Sequence, residues 1–325
     1  MTVSTPISLR DVQDARERLA PWLAPTPLRQ YPTFAAVLPG LELHVKHENV
    51  QPTGSFKVRN GLSTVTALDA DQRARGIVGA TTGNHGLGLA YAGRQLGVEV
   101  TICVPRGNNP EKNAALRAWG ATVVEEGADY DEAATVAQQL VDARGLVLAH
   151  STNNVNVLTG AGTMTLEILE QCDTLDVLLI AIGGGSQAVG AITVARVLRP
   201  GLRIIGVQAA GAPAAHDGWH AREARHTTHA ATFAEGVATR STYALTFPAL
   251  LDGLDDFITV TDAEIAEAVR IILSATHHLV EGAGAIGVAA AIKLAPQLQG
   301  QNVGVVFCGG NMASGVLRRI LNREL

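Results

Sequence analysis

Cysteine is scarce. Three residues, Cys103, Cys172 and Cys308, lie far apart with no C-x-x-C pair. This excludes a disulfide scaffold and a structural zinc site, and makes a reducing cytoplasm the default compartment. No apolar run approaches the roughly 20 residues that cross a bilayer. Asp11, Asp14, Arg16, Glu17 and Arg18 interrupt any signal-peptide core near the start. Positive charge is not in excess either: 25 Lys and Arg stand against 30 Asp and Glu, for a net charge of −5. A weakly acidic chain has no electrostatic footprint for nucleic acid. Internal repeats and low-complexity tracts are missing. Lysine itself is rare, with Lys46, Lys57, Lys112 and Lys293 among the 25 cationic residues, so each one merits separate inspection.

What is present is a globular composition, 47% hydrophobic and 17% charged, over 325 residues. At roughly 150 residues per domain this is about two domains. Short apolar segments alternate with helical ones. Leu41–His47, Gly76–Ala80, Val98–Val104, Ala121–Glu125, Leu146–Ala149, Asp176–Ile182, Arg203–Gln208 and Asn302–Cys308 read as strands. Helices are expected over 84–96, 111–119, 128–143, 155–171, from the turn near 183 to 198, and over 263–277 and 283–298. Such alternation predicts an α/β protein with mostly parallel sheets covered by helices. The segment 209–254 shows no clear elements, and a break this long usually serves or covers a site.

Four turns fall at the carboxyl ends of expected strands, where open α/β sheets bind ligands. The first, Pro52-Thr53-Gly54-Ser55-Phe56-Lys57, places a lysine at a helix start. Lysine forms Schiff bases with carbonyl cofactors, although a lone lysine is most often a solvated charge. The second, Thr81-Thr82-Gly83-Asn84-His85-Gly86, presents hydroxyls, an amide and backbone N–H groups at a helix N-terminus. It reads as an anion site or as a tight turn capped by Asn84. The third, Gly183-Gly184-Gly185-Ser186, lets a backbone close on a phosphate. It fits neither the Walker A pattern nor G-x-G-x-x-G. The fourth is Cys308-Gly309-Gly310-Asn311. Four such turns converge on one crevice.

Together with Phe233–Ala238 (FAEGVA) and Glu281–Ala285 (EGAGA), these motifs in this order resemble the pyridoxal-phosphate enzymes of the tryptophan-synthase-β type (fold type II), within them the serine/threonine dehydratase family. The resemblance runs from about Pro25 to the end. It implies two domains, each with a mostly parallel sheet flanked by helices: a large cofactor-binding domain of 1–77 and 152–325, and a small domain of 78–151. It implies pyridoxal 5'-phosphate as cofactor, with Lys57 as the lysine joined to it and Phe56 beside its ring. Asn84 would bond the ring oxygen, Gly183, Gly184, Gly185 and Ser186 the phosphate, and Cys308 would face the ring nitrogen, with Glu281 near the ring. Thr81, Thr82, Gly83, Asn84 and His85 would hold the substrate carboxylate. Lys57 would remove the α-proton, and the product would be a 2-oxo acid with ammonia. A cytoplasmic homodimer without a metal, acting on a small amino acid, is the expected setting.

Several positions depart from that family's pattern. Ala161 stands for the usual glutamine of a Gly-Gln-Gly-Thr run, Ser186 for a fourth glycine, Gly282 for a proline, and Gln208 for a glutamate of metal-dependent members. Losing that carboxylate weakens a divalent site. Thr82 occupies the place of the serine hydroxyl of racemases. Ala161 and the 209–232 segment suggest a substrate other than plain L-threonine or L-serine. A relative in ectoine breakdown, acting on a larger hydroxyectoine-derived amino acid, is one such case. A β-replacement synthase or a racemase remains the rival on the same scaffold. A nicotinamide-dependent dehydrogenase would need G-x-G-x-x-G and an acid about twenty residues later, which are missing. A non-catalytic binding protein would not need Lys57. His216/His220 and His226/His229 have helical spacing but no Cys or fixed carboxylate partner, and read as a solvated loop rather than zinc ligands. His277-His278 reads as a helix-end feature, and Cys103 and Cys172 as buried small hydrophobes.

Overall fold

The computed structural model describes residues 3–325. In chain order the strands are β1 (Leu28–Gln30), β2 (Glu42–His47), β3 (Ile77–Ala80), β4 (Val100–Val104), β5 (Thr122–Glu125), β6 (Val147–Leu148), β7 (Val177–Ala181), β8 (Arg203–Ala209), β9 (Asp256–Val260) and β10 (Asn302–Phe307). The helices are α1 (Leu9–Leu19), α2 (Lys57–Thr66), α3 (Ala70–Arg75), α4 (Asn84–Leu96), α5 (Pro110–Ala118), α6 (Tyr130–Arg144), α7 (Val155–Gln171), α8 (Ser186–Leu198), α9 (Ala214–Ala221), α10 (Phe247–Gly253), α11 (Asp262–Thr276), α12 (Gly282–Leu294) and α13 (Ser314–Leu321).

Two sheets result. The larger has the order β1-β2-β10-β7-β8-β9 and the smaller the order β5-β4-β3-β6. Among the described residues, every pairing between these strands is parallel except the antiparallel edge β1–β2. The central strands are apolar and buried on both faces, as parallel strands covered by helices must be. β10 sits mid-sheet, with Val305 between Val45 and Leu179. Helix α12 is apolar nearly all round and lies within the larger core, where an amphipathic helix would leave polar groups stranded. Truncating a fully buried aromatic such as Phe257 to alanine there costs about 3–5 kcal/mol.

The smaller sheet's core also draws on Val58, Leu62 and Val65 of α2, and on Leu19 and Leu23. Helices α2 and α4 meet backbone to backbone at Gly61 and Gly88, where any side chain would strike the opposite main chain. This contact fixes the first residue of α2, Lys57, relative to the first residue of α4, Asn84.

The segment 209–254 is not as irregular as its sequence suggests, because it holds α9 and α10. Neither helix has a side-chain N-cap, and α9 contains Gly218, which lets the ring of Phe247 approach. Also unread in the sequence are α1, with a Ser8/Asp11 capping box, and α3, with an Asp69/Gln72 box. The short β1 and β9 complete the list. The helix expected over 283–298 ends at Leu294 and passes into a tighter turn containing Pro296, which has no N–H to continue the ladder. Helix α6 begins at Tyr130 rather than 128, because Asp129 caps it by accepting from the N–H groups of Asp131 and Glu132.

Candidate active site

The four glycine-rich turns lie at the ends of β2, β3, β7 and β10 and open into one cavity of about 730 Å³. Phe56, Lys57, Thr81, Thr82, Gly83, Asn84, His85, Gly183, Gly184, Gly185, Ser186, Glu281 and Cys308 all line it.

Lys57 is held by the turn before it. Phe56 N–H donates to the Cys308 carbonyl at 3.0 Å, and Gly310 N–H donates to the Gly54 carbonyl at 2.8 Å. The ammonium Nζ lies 4.7 Å from the centre of the Phe56 ring and 3.5 Å from Ser186 Oγ. Burial lowers the Lys57 pKa to about 8, against the opposing pull of Glu281. The amine is thus half free base only slightly above neutral pH. Burial, followed by the Glu281 charge, pushes the Cys308 thiol up to about 12, so it stays neutral. Burial also raises the Glu281 carboxyl.

The turn from β7 to α8 has a form that would suit an anion. Gly185 has φ +95°, which suits glycine, and a side chain on Gly184 would collide with Thr152 Oγ1. Thr246 Oγ1 donates to the Gly184 carbonyl at 2.7 Å and braces the loop. Among the described residues, nothing in the protein accepts from the N–H groups of Gly183, Gly184, Gly185 or Ser186. Open N–H groups at the positive end of a helix suit a phosphate.

In the turn from β3 to α4, Thr81 Oγ1 accepts from Gly83 N–H at 3.0 Å. His85 Nε2 donates to the Ala149 carbonyl at 2.9 Å, and burial, then Lys57, lowers its pKa to about 3. The ring is neutral, and among the described residues its Nδ1 has no partner. Asn84 Nδ2 donates to Glu281 Oε1 at 2.6 Å, and Asn311 Nδ2 donates to Asn84 Oδ1 at 2.8 Å.

Sequence reasoning missed much of the rim. Arg240 pairs with Asp129, at 3.2 Å, and with Asp131; Lys112 pairs with Glu235. These pairs join the 228–243 segment to α5 and α6 beside the smaller sheet. Tyr130, Tyr243 and the exposed Arg106 also face the opening. Only Glu235, within FAEGVA, lay in a motif. The others owe their place to partners over a hundred residues away or to loop shape, which leave no local pattern.

Ala161 needs correction. It is fully buried in α7 within the larger core and does not line the cavity, so it carries no argument about substrate. Gln208 is fully buried and its Oε1 accepts from His216 N–H at 3.0 Å. The His216 and His220 rings lie 4.4 Å apart. His216 pairs with Asp217, and His220 bonds the Phe257 carbonyl. His226 bonds Ser241, while His229 lines the cavity. No group of three or more His, Cys, Asp or Glu among the described residues is placed to hold a metal.

A lysine with a lowered pKa, a turn that would suit an anion and a neutral buried thiol around one cavity fit an aldehyde cofactor that carries a phosphate. The comparisons agree. Residues 19–309 match the family described as pyridoxal-phosphate dependent enzyme, and the chain belongs to it. Its cofactor is pyridoxal 5'-phosphate. The chain is 33% identical to an L-threonine ammonia-lyase of Thermotoga maritima, over 98% of this chain and 79% of the relative. It is 34% identical to an L-threo-3-hydroxyaspartate ammonia-lyase of a Pseudomonas species, over 94% and 95%. The structure of maize serine racemase superposes with a TM-score of 0.91 at 27% identity, covering 98% of this chain and 97% of that one.

Proposed function

We propose that the protein is an ammonia-lyase of the dehydratase type, which removes water from a β-hydroxy-α-amino acid to give a 2-oxo acid and ammonia. The observation that carries this reading is Lys57, its pKa lowered to about 8, set between the Gly183–Ser186 cradle and the neutral Cys308. Lys57 would hold the cofactor covalently. Gly183, Gly184, Gly185 and Ser186 would bind its phosphate, Asn84 its ring oxygen and Cys308 its ring nitrogen. Phe56 and Glu281 would flank the ring. When bound, the cofactor supplies an electron sink for the pair left on Cα.

The residues then divide the work. The Thr81–His85 turn holds the substrate carboxylate and so fixes the direction of the Cα–H bond. Lys57 Nζ, freed once the substrate's amine takes its place on the cofactor, takes the α-proton as free base; the Cβ–O bond then breaks, and the leaving oxygen takes a proton back from the Lys57 ammonium, so that water departs. A thiol that stays neutral gives the ring nitrogen no charge partner, which limits the sink and favours prompt loss of the β-hydroxyl. Released enamine then hydrolyses to the 2-oxo acid and ammonia. The polar rim of Arg106, Tyr130, Arg240 and Tyr243 suits a side chain more extended than that of threonine.

One observation supports a second activity. The Thr82 hydroxyl lines the same cavity as Lys57, and a serine racemase shares the fold. A threonine hydroxyl acting opposite Lys57 would return a proton to the other face of Cα. Chiral analysis of residual substrate separates the two: elimination alone leaves its configuration unchanged. A cytoplasmic homodimer completes the reading. It is supported by three buried free thiols and by the family's motifs, and sedimentation tests the dimer.

A further inference from the structure

Asn311 carries a hydrogen-bond pattern that the reaction described above does not use. Its Nδ2 donates to the Thr53 carbonyl at 2.8 Å and to Asn84 Oδ1 at 2.8 Å. Asn84 in turn donates from Nδ2 to Glu281 Oε1 at 2.6 Å. The series runs Thr53 carbonyl, Asn311, Asn84, Glu281, and joins the turn bearing Lys57 to the turns after β3 and β10.

The Thr53 carbonyl fixes the direction of this series at one end, and the Glu281 carboxyl, when ionised, agrees with it at the other. A backbone carbonyl only accepts, so the end of Asn311 facing Thr53 must be its NH₂. The second proton of that same NH₂ faces Asn84, which must therefore offer its oxygen. Asn84 Nδ2 is left to face Glu281. An amide alone has no preference between its two ends, and only the surrounding network decides. The fit at Asn311 is close: a Cβ on Gly54, which has φ +69°, would lie 2.5 Å from Asn311 Oδ1.

We propose that Asn311 is a positioning residue that sets the hydrogen-bond polarity of Asn84, so that Asn84 presents a donor to the cofactor. The proposal rests on the reading of Asn84 as a cofactor contact. Asn311 itself touches no substrate and acts through Asn84.

The test compares Asn311→Ala, Asn311→Asp and Asn84→Ala in the full-length protein. The readouts are the pyridoxal phosphate dissociation constant and the pH midpoint of the bound cofactor's visible band, alongside thermal melting. Asn311→Ala removes the Thr53 end of the constraint, leaving Asn84 held from Glu281 alone, and should weaken cofactor binding roughly fivefold, the size of one lost hydrogen bond. The near-isosteric Asn311→Asp should be worse. Its carboxylate faces the Thr53 carbonyl and demands a donor from Asn84, which turns Asn84 Oδ1 toward Glu281. The band midpoint should shift in both variants. In an Asn84→Ala background, adding Asn311→Ala should have no further effect on affinity or midpoint.

Equal effects of Ala and Asp, an unchanged band, or additive losses in the double variant would each overturn the proposal, since a mere space-filler behaves so. If Asn311→Asp does not fold, the Ala cycle with Asn84 decides alone. The wild-type protein separates the two readings. If it binds no pyridoxal phosphate, the cofactor site itself is wrong; if it binds and the variants match it, only the role of Asn311 falls.

Discussion

Arg59 grips Glu48 with two parallel hydrogen bonds, Nε and Nη2 each reaching a carboxylate oxygen at 2.8 Å. Glu48 directly follows β2 and Arg59 lies two residues after Lys57, so the pair closes the lysine turn at its base. Both are buried, and Glu167 and Lys46 complete a group of two cations and two carboxylates. Thr26 and Gln51 satisfy further lone pairs of Glu48.

Removing one charge from this group leaves the others uncompensated. Glu48→Gln should therefore lower the unfolding free energy by about 3–5 kcal/mol, read from urea titrations at neutral pH. Burial works to raise the Glu48 pKa, but the Arg59 guanidinium outweighs it and holds the carboxyl below its ordinary value. The stability it contributes is present above the unfolded carboxylate pKa, near 4.5, and is lost as pH falls below that. A loss under about 1 kcal/mol would mean that the group contributes no more than a surface pair.

Lys57 should capture its cofactor with a distinctive pH profile. Only the free base attacks an aldehyde, and the free-base fraction rises with pH through the pKa. Capture of pyridoxal phosphate by the apoprotein should rise with a midpoint of about 8, where an ordinary lysine would show 10.5. Stopped-flow absorbance over pH 6–10 would measure it. A midpoint near the ordinary value would contradict the burial-driven shift.

The cradle makes a steric prediction. Gly184→Ala forces a methyl group into Thr152. Overpacking of this kind costs about 1–3 kcal/mol, so the phosphate-bearing cofactor should bind at least about fivefold more weakly. Pyridoxal without the phosphate should lose less, and equilibrium dialysis with both compounds checks the difference. Equal losses would move the phosphate elsewhere.

What was legible in the sequence was local. Pro, Gly and Asn at strand ends announce turns because their backbone preferences act within a few residues, and this exposed Lys57, Asn84, Gly183–Ser186 and Cys308 together. Apolar runs exposed the parallel strands. The Lys46–Glu48–Arg59–Glu167 group was not legible, because Glu167 lies 108 residues from Arg59 and nothing near either residue signals the other. Asn311 was visible in its motif but not its role, which depends on a carbonyl 258 residues away. Helices α9 and α10 escaped notice because they lack capping side chains, whereas the Ser8/Asp11 and Asp69/Gln72 boxes could have revealed α1 and α3.

The rim makes a prediction about substrate. Arg240 joins the 228–243 segment to Asp129 and Asp131 at the mouth. Arg240→Ala should alter the ranking of β-hydroxy amino acids by kcat/KM, with the larger polar substrates affected more than L-threonine. A uniform change across substrates would place Arg240 outside side-chain recognition.

The central claim is that Lys57 carries the cofactor and performs the elimination. The direct measurement is borohydride reduction of the purified protein, peptide mapping of the reduced adduct, and ammonia release from L-threonine, L-serine and larger β-hydroxy amino acids by wild type and Lys57→Ala. The account predicts a yellow protein, an adduct confined to Lys57, ammonia from at least one substrate, and no turnover by the variant. A colourless protein that pyridoxal phosphate cannot reconstitute, or a Lys57→Ala variant that eliminates at the wild-type rate, would contradict it.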